Sequence, residues 1–235
     1  MNARSAVMIL ALTTSLFAFN ASAGSLRPLP IPACPSAPVI DGVFEPNEWS
    51  GAKAYSFDVA LPEGGTTPAT LYVKNDSRFL YTALVYDRTV ADAAMSFGLE
   101  LDANQDGAID AGDDDFVVSF DSYGGLTTSD NFRFSNQSAC PDGALCSGVD
   151  SDFGGTANLD AAYGNDGISV FEAAHPLRSG DAHDMAVVPG STIGFVASLR
   201  LIAPGAEWPN GIADTFYPGP ALSTLAQYTT LNCSN

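Results

Sequence analysis

The chain has 235 residues, of which 27 are Asp or Glu and only 9 are Lys or Arg, so its formal net charge is −18. A protein that binds nucleic acid needs a basic surface, so this charge excludes DNA and RNA as partners and disfavours anionic membranes. The length allows one large domain or two small ones, and the 22 Gly and 15 Pro favour short strands joined by many turns.

The N-terminal segment predicts export. Arg4 precedes an apolar stretch over residues 6–19, and Ala21-Ser22-Ala23 has the small-x-small pattern of a cleavage site. The apolar stretch is too short to cross a bilayer, which takes about 20 residues, and no later stretch predicts a membrane span. We expect a secreted or periplasmic monomer. The predicted organisation is a signal peptide (1–23), a Pro-rich lead-in (24–38) and a single domain (39–235).

Beyond the lead-in, apolar and polar residues alternate with a period of two, which predicts β-strands. In chain order, the predicted strands cover residues 55–61, 70–74, 79–87, 95–101, 116–120, 132–135, 158–163, 168–174, 192–202 and 225–231. Residues 121–156 predict a long decorated loop that contains only one of these strands. No long window shows a helical period. We therefore predict an all-β fold, an antiparallel β-sandwich of jelly-roll type with about nine or more strands.

The sharpest motif is a loop over residues 102–113. Oxygen donors alternate along it, with Gly107 at the sixth position for a sharp turn and Ile109 at the eighth as an apolar anchor. The spacing resembles the EF-hand loop, which dockerin-type and other extracellular calcium loops also use. Asp113 replaces the usual final Glu, and the flanks predict strands instead of helices. The predicted Ca²⁺ ligands are the side chains of Asp102, Asn104, Asp106, Asp110 and Asp113 and the backbone carbonyl of Ala108.

A second acidic stretch lies at Asp181-Ala182-His183-Asp184. It is compatible with another cation site, with a His–Asp pair, or with an ordinary acidic loop. His175 precedes Pro176 and is expected to end a strand.

Four cysteines predict disulfides, because export makes such bonds permissible. Cys140 and Cys146 bracket a short loop and are expected to pair with each other. Cys34 and Cys233 then remain near the two ends of the mature chain, and we expect a second bond between them. A site of four cysteines for zinc is the alternative, which the absence of a CxxC pair disfavours.

Catalytic motifs are missing from the sequence: it contains no G-x-S-x-G, no H-E-x-x-H and no P-loop. Residues 100–105 approach the E-x-D-x-x-E strand of laminarinase-type glycosidases, but Gln105 stands where the second catalytic carboxylate is needed. Glu172 lies in the middle of a predicted strand, where we expect it to bond a neighbouring turn. The prediction is a protein without catalytic activity.

Several stretches, in this order, resemble carbohydrate-binding module family 9 and its DOMON-like relatives. They are an "IDG…EW" opening, a pair of strands, a "vE.aiPl" strand and a "pGdtigf" strand entry, at residues 38–49, 71–87, 171–177 and 189–195. The resemblance covers about residues 38–203. It implies a jelly-roll β-sandwich, often with structural calcium, and a polysaccharide or oligosaccharide as partner.

The resemblance also suggests where a sugar would bind, because family 9 modules clamp a terminal sugar between two tryptophans. Here Trp49 lies in the opening motif, where we expect it to pack in a core, whereas Trp208 lies in a loop. The predicted ligand-binding residues are Trp208 and Tyr217 as an aromatic platform, with Asn210 and Asp214 as hydrogen-bonding partners.

Three alternatives to a sugar-binding module stay open. One is a structural or surface-associated protein of the same fold without a sugar ligand. Another is an enzyme that acts on glycosides. The third is a haem-binding DOMON protein, which needs axial ligands such as Met and His. The two histidines of the chain are His175 and His183, and neither is expected at a strand-core position.

Overall fold

The computed structural model describes residues 37–76, 78–88, 94–102, 111–121, 124–134, 146–180, 182–184, 192–204, 211–217 and 228–230. Over these residues the chain forms twelve strands and one short 3-10 helix, Asp150–Phe153. The strands are β1 Lys53–Ala60, β2 Thr66–Asn75, β3 Phe79–Tyr86, β4 Ala94–Asp102, β5 Asp114–Asp121, β6 Leu126–Phe134, β7 Cys146–Val149, β8 Asp160–Asn165, β9 Ser169–Pro176, β10 Thr192–Ile202, β11 Ile212–Tyr217 and β12 Tyr228–Thr230.

The strands form two antiparallel sheets. One has five strands in the order β1-β2-β3-β9-β8, and the other runs β11-β10-β4-β5-β6-β7, with β12 also paired to β10. The predicted all-β antiparallel sandwich is confirmed. In the part of the chain that the structure describes, no helix is long and apolar enough to span a membrane.

The main core lies between the sheets and is built from the apolar phase of each strand. Leu71, Phe97, Phe116, Phe171 and Phe195 are among its largest fully buried side chains. Because successive side chains of a strand point to opposite faces, the period-two pattern of the sequence is sufficient to select them. Burial of each such side chain stabilises the folded state by about 1.5–3 kcal/mol relative to leaving it exposed to water.

A second, smaller core covers the outer face of the five-stranded sheet. Trp49 is only 3% exposed and packs there with Tyr81, Ala83 and Ala174, so the expectation that it is a core residue is confirmed. The residues before β1 lie over this face, which explains why β9 is buried on both sides. Gly42 allows the close approach: its φ is +80°, and a Cβ there would lie 2.6 Å from the carbonyl carbon of Tyr163.

The structure differs from the predicted strands mainly in residues 121–156 and at β11. β6 begins at Leu126, six residues before the predicted strand, and β7 and β11 were not predicted. β6 carries Thr128 and Asp130 on its inward phase, so it lacks the apolar alternation that marks a half-buried strand. β7 has only four residues, too few for a pattern to emerge.

Candidate functional site

The structure places the predicted sugar-binding residues in different environments. Trp208 and Asn210 lie outside the described residues. Asp214 and Tyr217 both belong to β11, but Asp214 is exposed on its outer face, whereas Tyr217 packs toward the core. The ring of Tyr217 stacks on that of Phe57, with centroids 4.8 Å apart and planes at 18°. The structure therefore does not bring these two side chains together.

Asp214 belongs to a row of polar residues that crosses the outer face of the seven-stranded sheet. Strand register places Asp214, Arg200, Ser96, Ser119 and Thr127 directly opposite one another on β11, β10, β4, β5 and β6. The guanidinium of Arg200 holds the carboxylate of Asp214 with two hydrogen bonds, Nε to Oδ1 at 2.6 Å and Nη2 to Oδ2 at 3.1 Å. We call these five residues the polar row.

A groove of about 190 Å³ opens beside the polar row. Its lining includes Arg200, Ser96, Ser119 and Thr127 together with Ile202, the last residue of β10. The connection from β10 to β11, which includes residues 205–210, begins and ends next to this point, where the N–H of Ala203 donates to the carbonyl of Gly211 at 2.8 Å. The predicted aromatic platform, Trp208, thus belongs to a segment whose two ends are attached at the edge of this groove.

The predicted calcium loop is described only at its two ends. Asn104, Asp106, Ala108 and Asp110 lie outside the described residues, whereas Asp102 and Asp113 are fully buried at the end of β4 and just before β5. Two buried carboxylates need hydrogen bonds, counter-charges or a cation. Ca²⁺ binding by this loop stays a prediction.

A group of titratable side chains that the sequence did not predict lies between the two sheets. Asp114 on β5 and Asp130 on β6 occupy strand positions that face the core, and so does His175 on β9. With Asp150 from the 3-10 helix and Asp184 from a loop, they form what we call the acidic cluster. The His175 Nε2 atom lies 3.0 Å from Oδ1 of Asp130 and 3.8 Å from Oδ2 of Asp114.

Burial and mutual proximity perturb the proton equilibria of the acidic cluster. Burial lowers the pKa of His175, but the hydrogen bond to Asp130 and the nearby carboxylates outweigh it and raise the pKa to about 9. Burial, followed by the adjacent Asp184 carboxylate, raises the pKa of Asp150 to about 8. The cluster therefore holds more negative charge than its one imidazole neutralises.

Only part of the acidic cluster carries a sequence signal. Asp184 belongs to the acidic stretch for which a second cation site was one interpretation, and His175 does lie near the end of its strand. The histidine is nevertheless 1% exposed, so the expectation that it lies away from the strand core is wrong. The signal that sequence reasoning missed is a charged residue at a strand position that faces the core: Asp130 lies directly opposite the core residue Phe116.

Glu172 takes the structural role that was expected of it. Its Oε2 atom accepts the backbone N–H of Asp41 at 3.1 Å and that of Gly42 at 2.9 Å, and Oε1 accepts the indole N–H of Trp49 at 3.1 Å. This carboxylate is fully buried, and both of its oxygens accept hydrogen bonds from the opening motif. It fastens residues 38–49 to the sheet.

Glu100 lies on the outer face of the seven-stranded sheet, opposite Asp115. Arg133 lies between them, with Nη2 3.0 Å from Oε1 of Glu100 and Nε 3.3 Å from Oδ1 of Asp115. Burial raises the pKa of both carboxyl groups, and the arginine opposes that shift. An arginine that bridges two carboxylates is typical of a structural ion-pair network.

Comparison with known proteins places the fold. No protein-family model matches the chain, and no curated protein matches it. Two similar solved structures are complexes of a carbohydrate-binding module of family 9 from Caldicellulosiruptor kristjanssonii, one with glucose and one with cellotriose. The glucose complex is 17% identical, with a TM-score of 0.52, and the match covers 86% of this chain and 95% of that one. The cellotriose complex is 16% identical, with a TM-score of 0.52 and coverages of 84% and 91%. At these identities the likeness shows the fold, which is that of a family 9 β-sandwich.

Proposed function

We propose that this protein is an exported, non-catalytic, carbohydrate-binding β-sandwich that calcium stabilises. The observation that carries the proposal is the groove beside the polar row, at whose edge the segment of Trp208 is attached to the sheet. The fold supports it, because the two solved family 9 modules with this fold are complexes with glucose and cellotriose.

The groups around the groove have the chemistry that sugar recognition needs. A sugar offers hydroxyls in several directions and an apolar C–H face. The hydroxyls can bond Ser96, Ser119 and Thr127 and the remaining donors and acceptors of the Arg200–Asp214 pair. The C–H face stacks on an aromatic ring, which Trp208 would supply at the edge of the groove.

The test is glycan-array binding by the purified protein, followed by titration of Trp208→Ala and Asp214→Ala with the best glycan. Loss of the aromatic anchor should weaken binding by about 1–3 kcal/mol. Asp214→Ala should also weaken it, while the melting temperature changes little, because exposed ion pairs contribute only about 0–1 kcal/mol to stability. Glu63→Ala is the matched control, since it breaks the exposed ion pair with Arg88 (2.9 Å) away from this face.

Two outcomes contradict the proposal. If no glycan binds, the alternative of a structural or surface-associated protein with this fold is favoured. If a glycan binds but neither Trp208→Ala nor Asp214→Ala weakens it more than Glu63→Ala does, the site lies elsewhere. A strongly lowered melting temperature for Trp208→Ala would show that this ring packs within the fold instead of forming a platform.

The calcium part of the proposal rests on the loop of residues 102–113. An ion that binds only the folded state stabilises it by mass action, so millimolar Ca²⁺ should raise the melting temperature relative to EDTA. Asp106→Ala should remove most of that gain, because it deletes a predicted ligand at the centre of the loop. Identical melting curves of the intact protein in Ca²⁺ and in EDTA would refute calcium stabilisation and leave the sugar proposal standing.

A further inference from the structure

The acidic cluster combines side chains from five separate segments at one place between the sheets. Carboxylate oxygens of Asp130, Asp150 and Asp184 all lie within 4.8 Å of one another, and so do ligand atoms of Asp114, His175 and Asp184. This spacing fits ligands of one cation, because metal–ligand bonds of about 2.0–2.4 Å keep the ligand atoms of one ion within about 5 Å of one another. The His175 Nε2 atom lies 3.0 Å from Oδ1 of Asp130 and 3.8 Å from Oδ2 of Asp114, so the imidazole holds these carboxylates in place beside the site.

Asp150 supplies an independent indication that a ligand belongs here. The residue is 0% exposed, and neither of its carboxylate oxygens has a donor to bond it. Its neighbour in the cluster is another carboxylate, that of Asp184. A buried carboxylate without a donor destabilises the fold unless it is neutralised by a proton or by a cation.

Asn158 adds a neutral oxygen to the same region. Its Nδ2 atom donates to Oδ2 of Asp184 at 3.0 Å, and its backbone N–H donates to Oδ2 of Asp130 at 3.0 Å. The amide oxygen of Asn158 is buried and has no hydrogen-bond partner. Carboxylate and amide oxygens are the ligands that hard divalent cations prefer.

We propose that the acidic cluster binds one divalent, oxygen-preferring cation through Asp130, Asp150 and Asp184, with His175 and Asp114 forming the inner wall of the site. The cluster contains four carboxyl groups and only one imidazole, a composition that favours a cation over an anion or a neutral ligand. The site is separate from the predicted loop, because its three carboxylate ligands come from β6, the 3-10 helix and the loop at 182–184.

The structure also shows which segments a bound ion would join. A groove of about 440 Å³, whose lining includes Arg78, Arg178 and Asn158, borders the cluster at Asn158, which donates to Asp184. His175 belongs to the five-stranded sheet, and Asp114 and Asp130 belong to the seven-stranded sheet. A bound cation would therefore tie β6 and the 3-10 helix to residues 182–184, beside the contact between His175 and Asp130 that joins the two sheets.

The test is Mn²⁺ binding to the full chain after bound metal has been removed with a chelator. Binding is measured as the loss of the electron paramagnetic resonance signal of free Mn²⁺. Mn²⁺ accepts both carboxylate and imidazole ligands. All measurements are made with Asp106→Ala in the background, so that the loop of residues 102–113 does not contribute. We expect one Mn²⁺ site in this background, and at least a tenfold weaker site when Asp150→Asn is added. Asp152→Asn is the matched control, because it makes the same substitution at an exposed position of the same 3-10 helix.

Thermal unfolding separates a cation site from a merely structural carboxylate. In EDTA, Asp150→Asn should melt no lower than its parent, because the amide has nearly the size of the carboxyl group and places no charge in a buried site that lacks a cation. Mn²⁺ should raise the melting temperature of the parent and of Asp152→Asn but not that of Asp150→Asn. The proposal is overturned if the Asp106→Ala chain binds no Mn²⁺, if both Asn variants bind it equally, or if Asp150→Asn melts well below its parent in EDTA. Displacement of Mn²⁺ by Ca²⁺ supports the all-oxygen ligand set, whereas displacement only by Zn²⁺ contradicts the stated preference for oxygen.

Discussion

At the scale of single residues, the opening motif shows how a short sequence pattern encodes a tertiary contact. Glycine is required at position 42 by both its positive φ and the 2.6 Å separation that a Cβ would make with the backbone of Tyr163. Trp49 ends the motif by donating its indole N–H to Glu172, a residue 123 positions later in the chain. The motif is therefore a folding element that fastens residues 38–49 to the five-stranded sheet.

The fastening by Glu172 can be tested with a double-mutant cycle. Glu172→Gln should lower the free energy of unfolding by about 1–3 kcal/mol, because the amide NH₂ would face a buried donor, either the indole N–H of Trp49 or a backbone N–H, and leave it unsatisfied. Trp49→Phe removes the indole donor, so Glu172→Gln should cost less when it is added to the Trp49→Phe variant than when it is made alone. Urea unfolding followed by far-ultraviolet circular dichroism measures all four proteins. Strictly additive effects would show that the two side chains are not coupled.

At the scale of elements, hairpins form where turn residues lie between two alternating segments. Asn165-Asp166-Gly167, a sequence that favours a tight turn, joins β8 to β9, and Gly167 there has a φ of +85°. The turn before β3 likewise has a local cause: Asp76 Oδ1 accepts the backbone N–H of Arg78 and of Phe79, at 2.6 and 2.8 Å. Its other oxygen accepts the hydroxyl of Tyr81 at 2.8 Å.

The acceptor role of Asp76 predicts a pH dependence. Burial raises the pKa of Asp76, but the two backbone donors and the Tyr81 hydroxyl outweigh it, so the pKa lies below the usual 3.8. A carboxyl group with a lowered folded-state pKa stabilises the fold above its unfolded pKa, and this stability is lost as the pH falls through the folded value. Asp76→Asn should lower stability at pH 7 by about 1 kcal/mol and flatten the stability profile below about pH 4.

The control for this pH effect is Asp166→Asn, which changes an exposed aspartate in the β8–β9 turn. Chemical denaturation of both variants and the parent from acid to neutral pH makes the comparison. An Asp76→Asn profile parallel to that of the parent would show that the carboxylate does not contribute through its ionised form.

Two of the strands that the sequence did not predict correctly, β6 and β11, carry polar side chains that pair with residues of other strands. Alternation selected the strands that bury apolar side chains, such as β4 with Phe97 and Leu99. The start of β6 was not predicted because Asp130 stands at a core position, where it bonds His175. β11 was not predicted because Asp214, which pairs with Arg200, interrupts its apolar pattern. Such polar contacts depend on which strands become neighbours, and a single sequence does not state strand order.

At the scale of the whole molecule, the two sheets are joined by polar contacts as well as by the core. The backbone N–H of Ala60 on β1 donates to the hydroxyl of Thr215 on β11 at 2.9 Å, and His175 on β9 bonds Asp130 on β6. The residues before β1 lie on the five-stranded sheet, whereas β12 belongs to the seven-stranded sheet. The two ends of the described chain are therefore attached to different sheets.

The two predicted disulfides should contribute unequally to the stability of the fold. Cys34, Cys140 and Cys233 lie outside the described residues, so both bonds stay predictions. A Cys34–Cys233 bond would close a loop of nearly the whole chain and tie the segments attached to the two sheets, which the chain-entropy model values at about 5 kcal/mol. A Cys140–Cys146 bond closes a short loop before β7, the edge strand of its sheet, and is worth about 2 kcal/mol.

Mass mapping of the non-reduced, exported protein should therefore find Cys34 linked to Cys233 and Cys140 linked to Cys146. Replacing Cys34 and Cys233 together by Ser should lower the melting temperature more than replacing Cys140 and Cys146 together, because the longer loop restricts the unfolded chain more strongly. Free thiols in the exported protein, or crossed bonds between the two pairs, would contradict the predicted pairing. A larger loss from the Cys140–Cys146 replacement would instead show that the edge strand β7, and not the closure of the chain ends, limits the stability of the sandwich.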